Sequence, residues 1–131
     1  MKTVLAIIVL QLSLVYGIPG EISDMDRKDP SFEEMKWVAI KEINAKSKDA
    51  VHLVPVEVVK AKSQVVAGII YYYVIKVGQS ECAKKTTTHE QLKAKKCQLK
   101  KGGKQFLYDV EIYEKAWEHM TRVTINKATA L

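Results

Sequence analysis

The sequence contains few of the residues from which catalytic and metal sites are built. It has three histidines and two cysteines, namely His52, His89, His119, Cys82 and Cys97. No histidine has a carboxylate or nucleophile at a suitable spacing, and Gly102-Gly103 alone is too short for a phosphate-binding loop. Two cysteines with one histidine between them are too few ligands for a structural zinc site. We therefore expect no enzyme, no metal site and no cofactor.

Long apolar runs are also scarce, and the clearest one is N-terminal. Lys2 supplies a positive start, Val4 to Val15 form a short apolar core, and Tyr16-Gly17 precede a plausible cleavage point. This layout is typical of a secretory signal peptide, whereas a transmembrane helix needs roughly 20 apolar residues. We expect residues 1–17 to be a signal peptide and residues 18–131 to form one secreted, extracellular domain without a transmembrane segment.

The two cysteines, Cys82 and Cys97, form an even pair in a chain predicted to enter an oxidising compartment. One disulfide is the simplest interpretation. It closes a loop of about 16 residues and contributes on the order of 3 kcal/mol in the chain-entropy model. We interpret the pair as a structural staple.

The positive charge is concentrated in one part of the chain. The formal net charge is +6, and removal of Lys2 with the signal peptide leaves +5. Residues 84–104, the lysine-rich segment, contain eight lysines against Glu90 alone. This segment is either a solvated loop or a contact for an anionic glycan or a membrane surface. It contains no aromatic residue for base stacking, so we expect no nucleic-acid partner.

One stretch has helical periodicity. Residues 18–28 are polar and aperiodic, which predicts a mobile arm. Asp29-Pro30 then provide a cap and a favourable first residue, and apolar side chains recur at three- and four-residue steps through Phe32, Met35, Ala39 and Ile43. The pattern predicts an amphipathic helix over Pro30–Lys46.

The remaining periodic stretches alternate with a period of two. They are predicted to be strands at residues 51–62, 69–77, 105–113 and 119–129, with Val54, Val56 and Val58 on one face of the first. Pro55 marks an edge, a bulge or a late strand start. Residues 78–103 are expected to be weakly structured. Together these elements predict an α+β fold, with one long helix packed on a four- to five-stranded antiparallel sheet.

Three apolar tips stand out in this arrangement. The arm carries Ile18-Pro19-Gly20, one hairpin carries residues 64–68, and a second hairpin carries Trp117. Alternate hairpins of an antiparallel meander emerge at the same end of the sheet. Taken alone, residues 64–68 are either an ordinary turn or a binding wedge. Exposed apolar groups gathered at one edge favour a protein-binding surface.

The sequence at these tips resembles that of the cystatins, secreted inhibitors of papain-like cysteine proteases. Gln64-Val65-Val66-Ala67-Gly68 matches the family's Gln-x-Val-x-Gly loop, Gly20 matches its N-terminal glycine, and Trp117 matches its second-hairpin tryptophan. The resemblance covers essentially the whole of residues 18–131. It implies a single-domain, monomeric, reversible inhibitor of cathepsin-type proteases whose protease-binding residues are Gly20, Gln64, Val65, Val66, Ala67, Gly68, Ala116 and Trp117.

The sequence departs from the family pattern at three places. Ala116 stands where the family has proline, which implies a less rigid second hairpin. Cys82 and Cys97 resemble the first of two family disulfides, and the second is replaced by Tyr108 and a residue near Ile125. Ser47-Lys48-Asp49 lacks the asparagine of the motif that inhibits legumain, so we do not expect legumain inhibition.

Overall fold

The protein is described by a computed structural model that covers residues 20–131. The predicted signal peptide, Ile18 and Pro19 lie outside the described residues. The elements in chain order are β1 (Ser23–Asp24), α1 (Pro30–Lys46), β2 (Val51–Val66), β3 (Gly68–Ala83), α2 (His89–Lys95), β4 (Gln105–Lys115), a 3₁₀ turn (Ala116–Glu118) and β5 (Met120–Ala130).

Helix α1 has the bounds that the sequence predicted. The Asp29 carboxylate accepts a hydrogen bond of 2.9 Å from the backbone N–H of Ser31, and Pro30 occupies the first turn. The cap satisfies an N–H that the first turn would otherwise leave unpaired. The apolar stripe is buried and consists of Phe32, Met35, Ala39, Ile40 and Ile43. Burial of this stripe against the sheet holds the helix in place.

The five strands form one antiparallel sheet in the order β1-β2-β3-β4-β5. The predicted α+β architecture is therefore confirmed. The core lies between α1 and the sheet, where Tyr73, Ile75, Val110 and Ile112 have no exposed surface. The Tyr73 hydroxyl donates a 2.8 Å hydrogen bond to the carbonyl oxygen of Phe32, which ties the helix to the central strand.

Two bulges in β2 overturn the simple alternation predicted for Val54, Val56 and Val58. The register with β3 shifts between Pro55 and Glu57 and again between Val58 and Lys60. Val54 and Val58 are buried, but Val56 is 41% exposed. Each bulge inserts an extra residue and bends the strand, so side chains beyond it change face. Pro55, which has no N–H to donate, lies next to the first bulge.

The segment that follows Gly20 is not the mobile arm that its polarity suggested. Ser23 and Asp24 pair with Ser63 and Lys62 of β2, and the N–H of Met25 donates 2.9 Å to the carbonyl oxygen of Ala61. The pairing uses backbone groups, which leave no trace in side-chain periodicity. From Gly20 to Met25 the arm is held along β2 by backbone hydrogen bonds, and Ser23–Asp24 form an edge strand of the sheet.

The prediction that residues 78–103 are weakly structured is also wrong. Strand β3 continues to Ala83, and α2 begins with a reciprocal capping box between Thr88 and Gln91. The disulfide Cys82–Cys97 joins the end of β3 to the chain after α2, with the two Cα atoms 6.0 Å apart. The staple interpretation of the cysteines is confirmed. No helix within residues 20–131 is long and apolar enough to span a membrane.

Candidate functional site

The β2–β3 hairpin ends in a tight turn. Val66 pairs with Gly68, so Ala67 alone forms the tip. Gly68 has a φ of +106°, which favours glycine because it has no Cβ. A Cβ at this position would lie 2.5 Å from the carbonyl oxygen of Glu114. The glycine thus permits both the turn and the close approach of the neighbouring strand.

The tips of the two hairpins are joined. The Tyr113 hydroxyl on β4 donates a hydrogen bond to the carbonyl oxygen of Ala67. A shallow cleft of about 270 Å³ lies between the tips. Its lining comprises Val65, Val66, Gly68, Ile69, Glu114, Ala116 and Trp117. The sequence therefore predicted correctly that both hairpins emerge at one end of the sheet.

Large apolar side chains at these tips face solvent. Val65 is 62% exposed and Trp117 is 63% exposed. Trp117 lies in the 3₁₀ turn. His119 ends this turn in the left-handed conformation, and its N–H donates a 3.1 Å hydrogen bond to the carbonyl oxygen of Ala116. Two exposed apolar groups beside a shared cleft are unfavourable in water and gain free energy when a partner covers them.

Gly20 lies against the first hairpin. Its N–H donates 2.8 Å to the carbonyl oxygen of Val65, and its own carbonyl oxygen accepts 3.1 Å from Nε2 of Gln64. A Cβ at position 20 would lie 2.9 Å from the Val65 carbonyl oxygen. The structure therefore brings together Gly20, residues 64–68, Ala116 and Trp117, the set that we call the wedge.

Sequence reasoning missed a residue that supports this set. The Tyr72 hydroxyl donates 3.0 Å to Oε1 of Gln64. Tyr72 lies two residues beyond Ile70, the cross-strand partner of Gln64, and is therefore its diagonal neighbour on the same face. Burial, and then the nearby Glu111 carboxylate, raise the pKa of Tyr72, so its hydroxyl stays protonated and available as a donor.

The lysine-rich segment lies at the opposite end of the sheet. Strand β3 runs from the wedge at Gly68 to Ala83, where this segment begins. Lys84 is not free for a ligand, because its Nζ donates 2.9 Å and 2.8 Å to the carbonyl oxygens of Asn44 and Ser47 at the end of α1. Six other lysines are exposed, namely Lys85, Lys93, Lys96, Lys100, Lys101 and Lys104.

The part of the chain that the structure describes contains no candidate metal site. Residues 20–131 contain no group of three or more histidine, cysteine, aspartate or glutamate side chains that could hold a metal ion. The arrangement at the wedge is apolar and preformed, and it presents surface rather than reactive groups.

Comparison with known proteins identifies the family. The family model described as the cystatin domain matches residues 20–127, which span both hairpins, both helices and all of the sheet except the last three residues of β5. This chain belongs to the cystatin family. Members of this family are protease inhibitors and not enzymes, so membership supports a role for this cystatin in the inhibition of cysteine proteases.

Individual relatives agree with this assignment. Cystatin cpi-1 of Caenorhabditis elegans is 37% identical over 111 residues, which cover 84% of this cystatin and 78% of the relative. Onchocystatin of Onchocerca volvulus is 34% identical over 106 residues, covering 81% of this chain and 64% of its own. The crystal structure of Al-CPI matches with a TM-score of 0.74 and 30% identity, covering 86% of this cystatin and all of that chain.

A more distant structure supports the fold alone. Dimeric human cystatin F superposes with a TM-score of 0.73 at 16% identity and covers 87% of this cystatin and 90% of that chain. The fold, a long helix on an antiparallel sheet, is thus shared by chains with little sequence in common.

The structure also identifies the residue opposite Tyr108. The cross-strand partner of Tyr108 is Ala128, three residues beyond the Ile125 neighbourhood that the sequence suggested. Tyr108 and Ile125 both pack against the core, and a groove beside α1 is lined by Tyr108, Val123, Ile125 and Ala128. The ring of Tyr108 therefore packs at the position between β4 and β5 where the family resemblance implies a second disulfide.

Proposed function

We propose that this cystatin is a secreted, reversible, tight-binding inhibitor of papain-like, cathepsin-type cysteine proteases. In this proposal the wedge fills the protease's active-site cleft, with Gly20 on one side, the Gln64–Gly68 turn in the centre and Ala116-Trp117 on the other. The observation that carries the proposal is the joining of these three segments into one apolar edge by the hydrogen bonds at Val65, Gln64 and Ala67.

The energetics of this edge favour blocking over chemistry. Burial of exposed apolar surface at Val65 and Trp117 contributes about 25 cal/mol per Å². The hairpins are already formed, and Gly20 is already bonded to Val65, so little conformational entropy is lost on binding. The contacts are non-covalent, so the complex dissociates to intact inhibitor and active protease.

Secretion is part of the same proposal. Residues 1–17 have the layout of a signal peptide, and the Cys82–Cys97 disulfide is typical of an oxidising compartment. Cleavage after Gly17 would leave Ile18 and Pro19 ahead of Gly20, and we propose that these two residues contact the non-primed side of the cleft. We propose that the domain comprises residues 18–131 and acts as a monomer.

The proposal is tested by inhibition of a panel of papain-like proteases. Val65→Ala and Val59→Ala form a matched pair, because both valines are exposed on β2 but only Val65 lies at the wedge. We expect Val65→Ala to raise the inhibition constant about 5- to 10-fold and Trp117→Ala about 30-fold, as for interface anchors. Val59→Ala should stay within about twofold of the unchanged protein, since it removes no wedge contact.

Two results would contradict the proposal. One is the absence of inhibition by the unchanged protein at micromolar concentration across the panel. The other is inhibition that Trp117→Ala and Val65→Ala both leave unchanged.

The alternative function, binding of an anionic glycan or a membrane surface through the lysine-rich segment, has weaker support. Lys84 is engaged at the end of α1, and the other lysines that the structure describes are solvated. The wedge also lies at the other end of the sheet. We therefore favour protease inhibition.

A further inference from the structure

We propose that Tyr72 and Gln64 position the N-terminal arm for the protease, through a hydrogen-bond relay that ends at Gly20. The inference rests on the proposed inhibition and assigns a role to a residue outside the wedge. Gln64 then acts by holding Gly20 in place, because both ends of its amide are used within the inhibitor.

The direction of the hydrogen bonds in the relay is fixed by its Gly20 end. The Gly20 carbonyl oxygen can only accept, so the Gln64 amide must turn its NH₂ group toward it at 3.1 Å. Oε1 of Gln64 then faces the Tyr72 hydroxyl at 3.0 Å and accepts its proton. Without that hydroxyl, Oε1 of Gln64 loses its hydrogen-bond partner in the relay, and within residues 20–131 the side chain is held only by its hydrogen bond to Gly20.

The relay acts at the Gly20 end of the arm. Besides the relay, another hydrogen bond holds Gly20: its N–H donates to the carbonyl oxygen of Val65, next to the turn. The next ties are the pairing of Ser23 and Asp24 with β2, which begins three residues along the arm, and the hydrogen bond from the N–H of Met25 to the carbonyl oxygen of Ala61. None of them involves Gln64 or Tyr72. The relay therefore controls the end of the arm that enters the cleft while leaving β1 unchanged.

Tyr72→Phe removes one hydroxyl and keeps the ring. We expect it to raise the dissociation constant for a papain-like protease about 3- to 10-fold, which is the usual effect of one hydrogen bond. Tyr108→Phe is the matched control, since it removes a hydroxyl from a half-buried tyrosine of the same sheet that is far from the wedge. We expect the control to stay within about twofold of the unchanged protein and both variants to keep the same unfolding midpoint within a few degrees.

A shortened protein that begins at Ser23 separates positioning from general damage. It lacks Gly20, so the relay has no end to hold, and Tyr72→Phe should have no further effect on its affinity. A loss of affinity that is equally large in the shortened protein would overturn the proposal, as would an affinity of the full arm that Tyr72→Phe leaves unchanged.

Amide hydrogen exchange of the free protein provides a readout that does not need a protease. In Tyr72→Phe we expect faster exchange at the Gly20 amide and unchanged exchange at the Met25 amide. Unchanged exchange at Gly20 would refute the relay. If the unchanged protein inhibits no protease, the proposed function fails, while the exchange measurement still decides whether the relay exists.

Discussion

Gly68 shows how one residue can carry two separate constraints. Its φ of +106° selects against any side chain, and the carbonyl oxygen of Glu114 occupies the space where a Cβ would lie. Gly102 shares the first constraint, with a φ of +72°, but a Cβ there would meet nothing within 4 Å. The two glycines therefore allow backbone strain to be separated from steric contact.

We predict that Gly68→Ala lowers the free energy of unfolding by about 3 kcal/mol, since it combines the left-handed penalty with a clash against backbone. Gly102→Ala should cost only about 1 kcal/mol, the left-handed penalty alone. Urea denaturation of both variants checks the difference. Equal losses would mean that the approach of Glu114 contributes nothing to the position of the two tips.

The sequence identified the exposed members of the wedge but not the residues that support them. Gly20, the Gln64–Gly68 run and Trp117 follow from a motif and its spacing. Tyr72 lies in a strand rich in aromatic residues, and Tyr113 lies in a strand of regularly alternating apolar and polar residues. Nothing in the local sequence distinguishes either tyrosine from ordinary sheet residues. Their hydroxyls matter because the register of β2, β3 and β4 brings them to Gln64 and Ala67.

Among the elements, α2 is the one that periodicity did not reveal. It has seven residues, and its capping box and one fully buried residue, Leu92, are the features that hold it. His89 begins this helix, and the Trp37 ring of α1 lies edge-on to it with the ring centroids 6.0 Å apart. Docking of α2 on α1 therefore places an ionisable ring against an aromatic one.

We predict that the docking of α2 weakens in acid. Burial lowers the pKa of His89 below its usual 6.5, assisted by Lys41, Lys93 and His52 and opposed by Glu90. The folded chain therefore binds fewer protons than the unfolded chain, so stability rises with pH. The contribution of His89 is fully present above the unfolded pKa and is lost as the pH falls below about 6.5 and through the lowered value.

The check is the free energy of unfolding measured in urea between pH 5 and pH 7.5. His89→Gln keeps a polar side chain at the start of α2 and removes the titration. It should make the dependence of stability on pH less steep in this interval. A slope identical to that of the unchanged protein would show that His89 does not couple to folding.

At the scale of the whole molecule, the two ends of the sheet differ in their surface chemistry. The wedge is apolar and lies where the β2–β3 and β4–β5 hairpins turn, whereas the disulfide, α2 and the exposed lysines lie at the far end of β3. Between them, Tyr108 and Ala128 face each other across β4 and β5 where the family resemblance implies a second disulfide. Stability and inhibition are therefore expected to respond to different substitutions.

We predict that the double variant Tyr108→Cys/Ala128→Cys forms a disulfide and raises the free energy of unfolding. Paired residues of antiparallel strands have Cα separations of about 4.5–5.5 Å, within the range that a disulfide spans. The new loop favours the folded state by about 3 kcal/mol, offset in part by the loss of the half-buried tyrosine ring. Thermal unfolding of the oxidised variant is compared with that of Tyr108→Ser/Ala128→Ser, which keeps the Cys82–Cys97 disulfide and lacks only the new bond.

The inhibition constant of the oxidised variant should equal that of the unchanged protein, because neither position contacts the wedge. A large change in inhibition would show that the wedge depends on the packing of Tyr108.

The helix, the hairpin turns and the apolar tips can be predicted from the sequence alone. Each of these depends on local chemistry: a cap followed by a 3.6-residue period, a glycine at a tight turn, and apolar residues beside it. The tertiary structure alone decided that the arm docks on β2 from Gly20 onward, that bulges expose Val56, and that Tyr72 and Tyr113 brace the tips. These features depend on backbone hydrogen bonds and strand register, which join residues distant in sequence and leave no periodic signal in it.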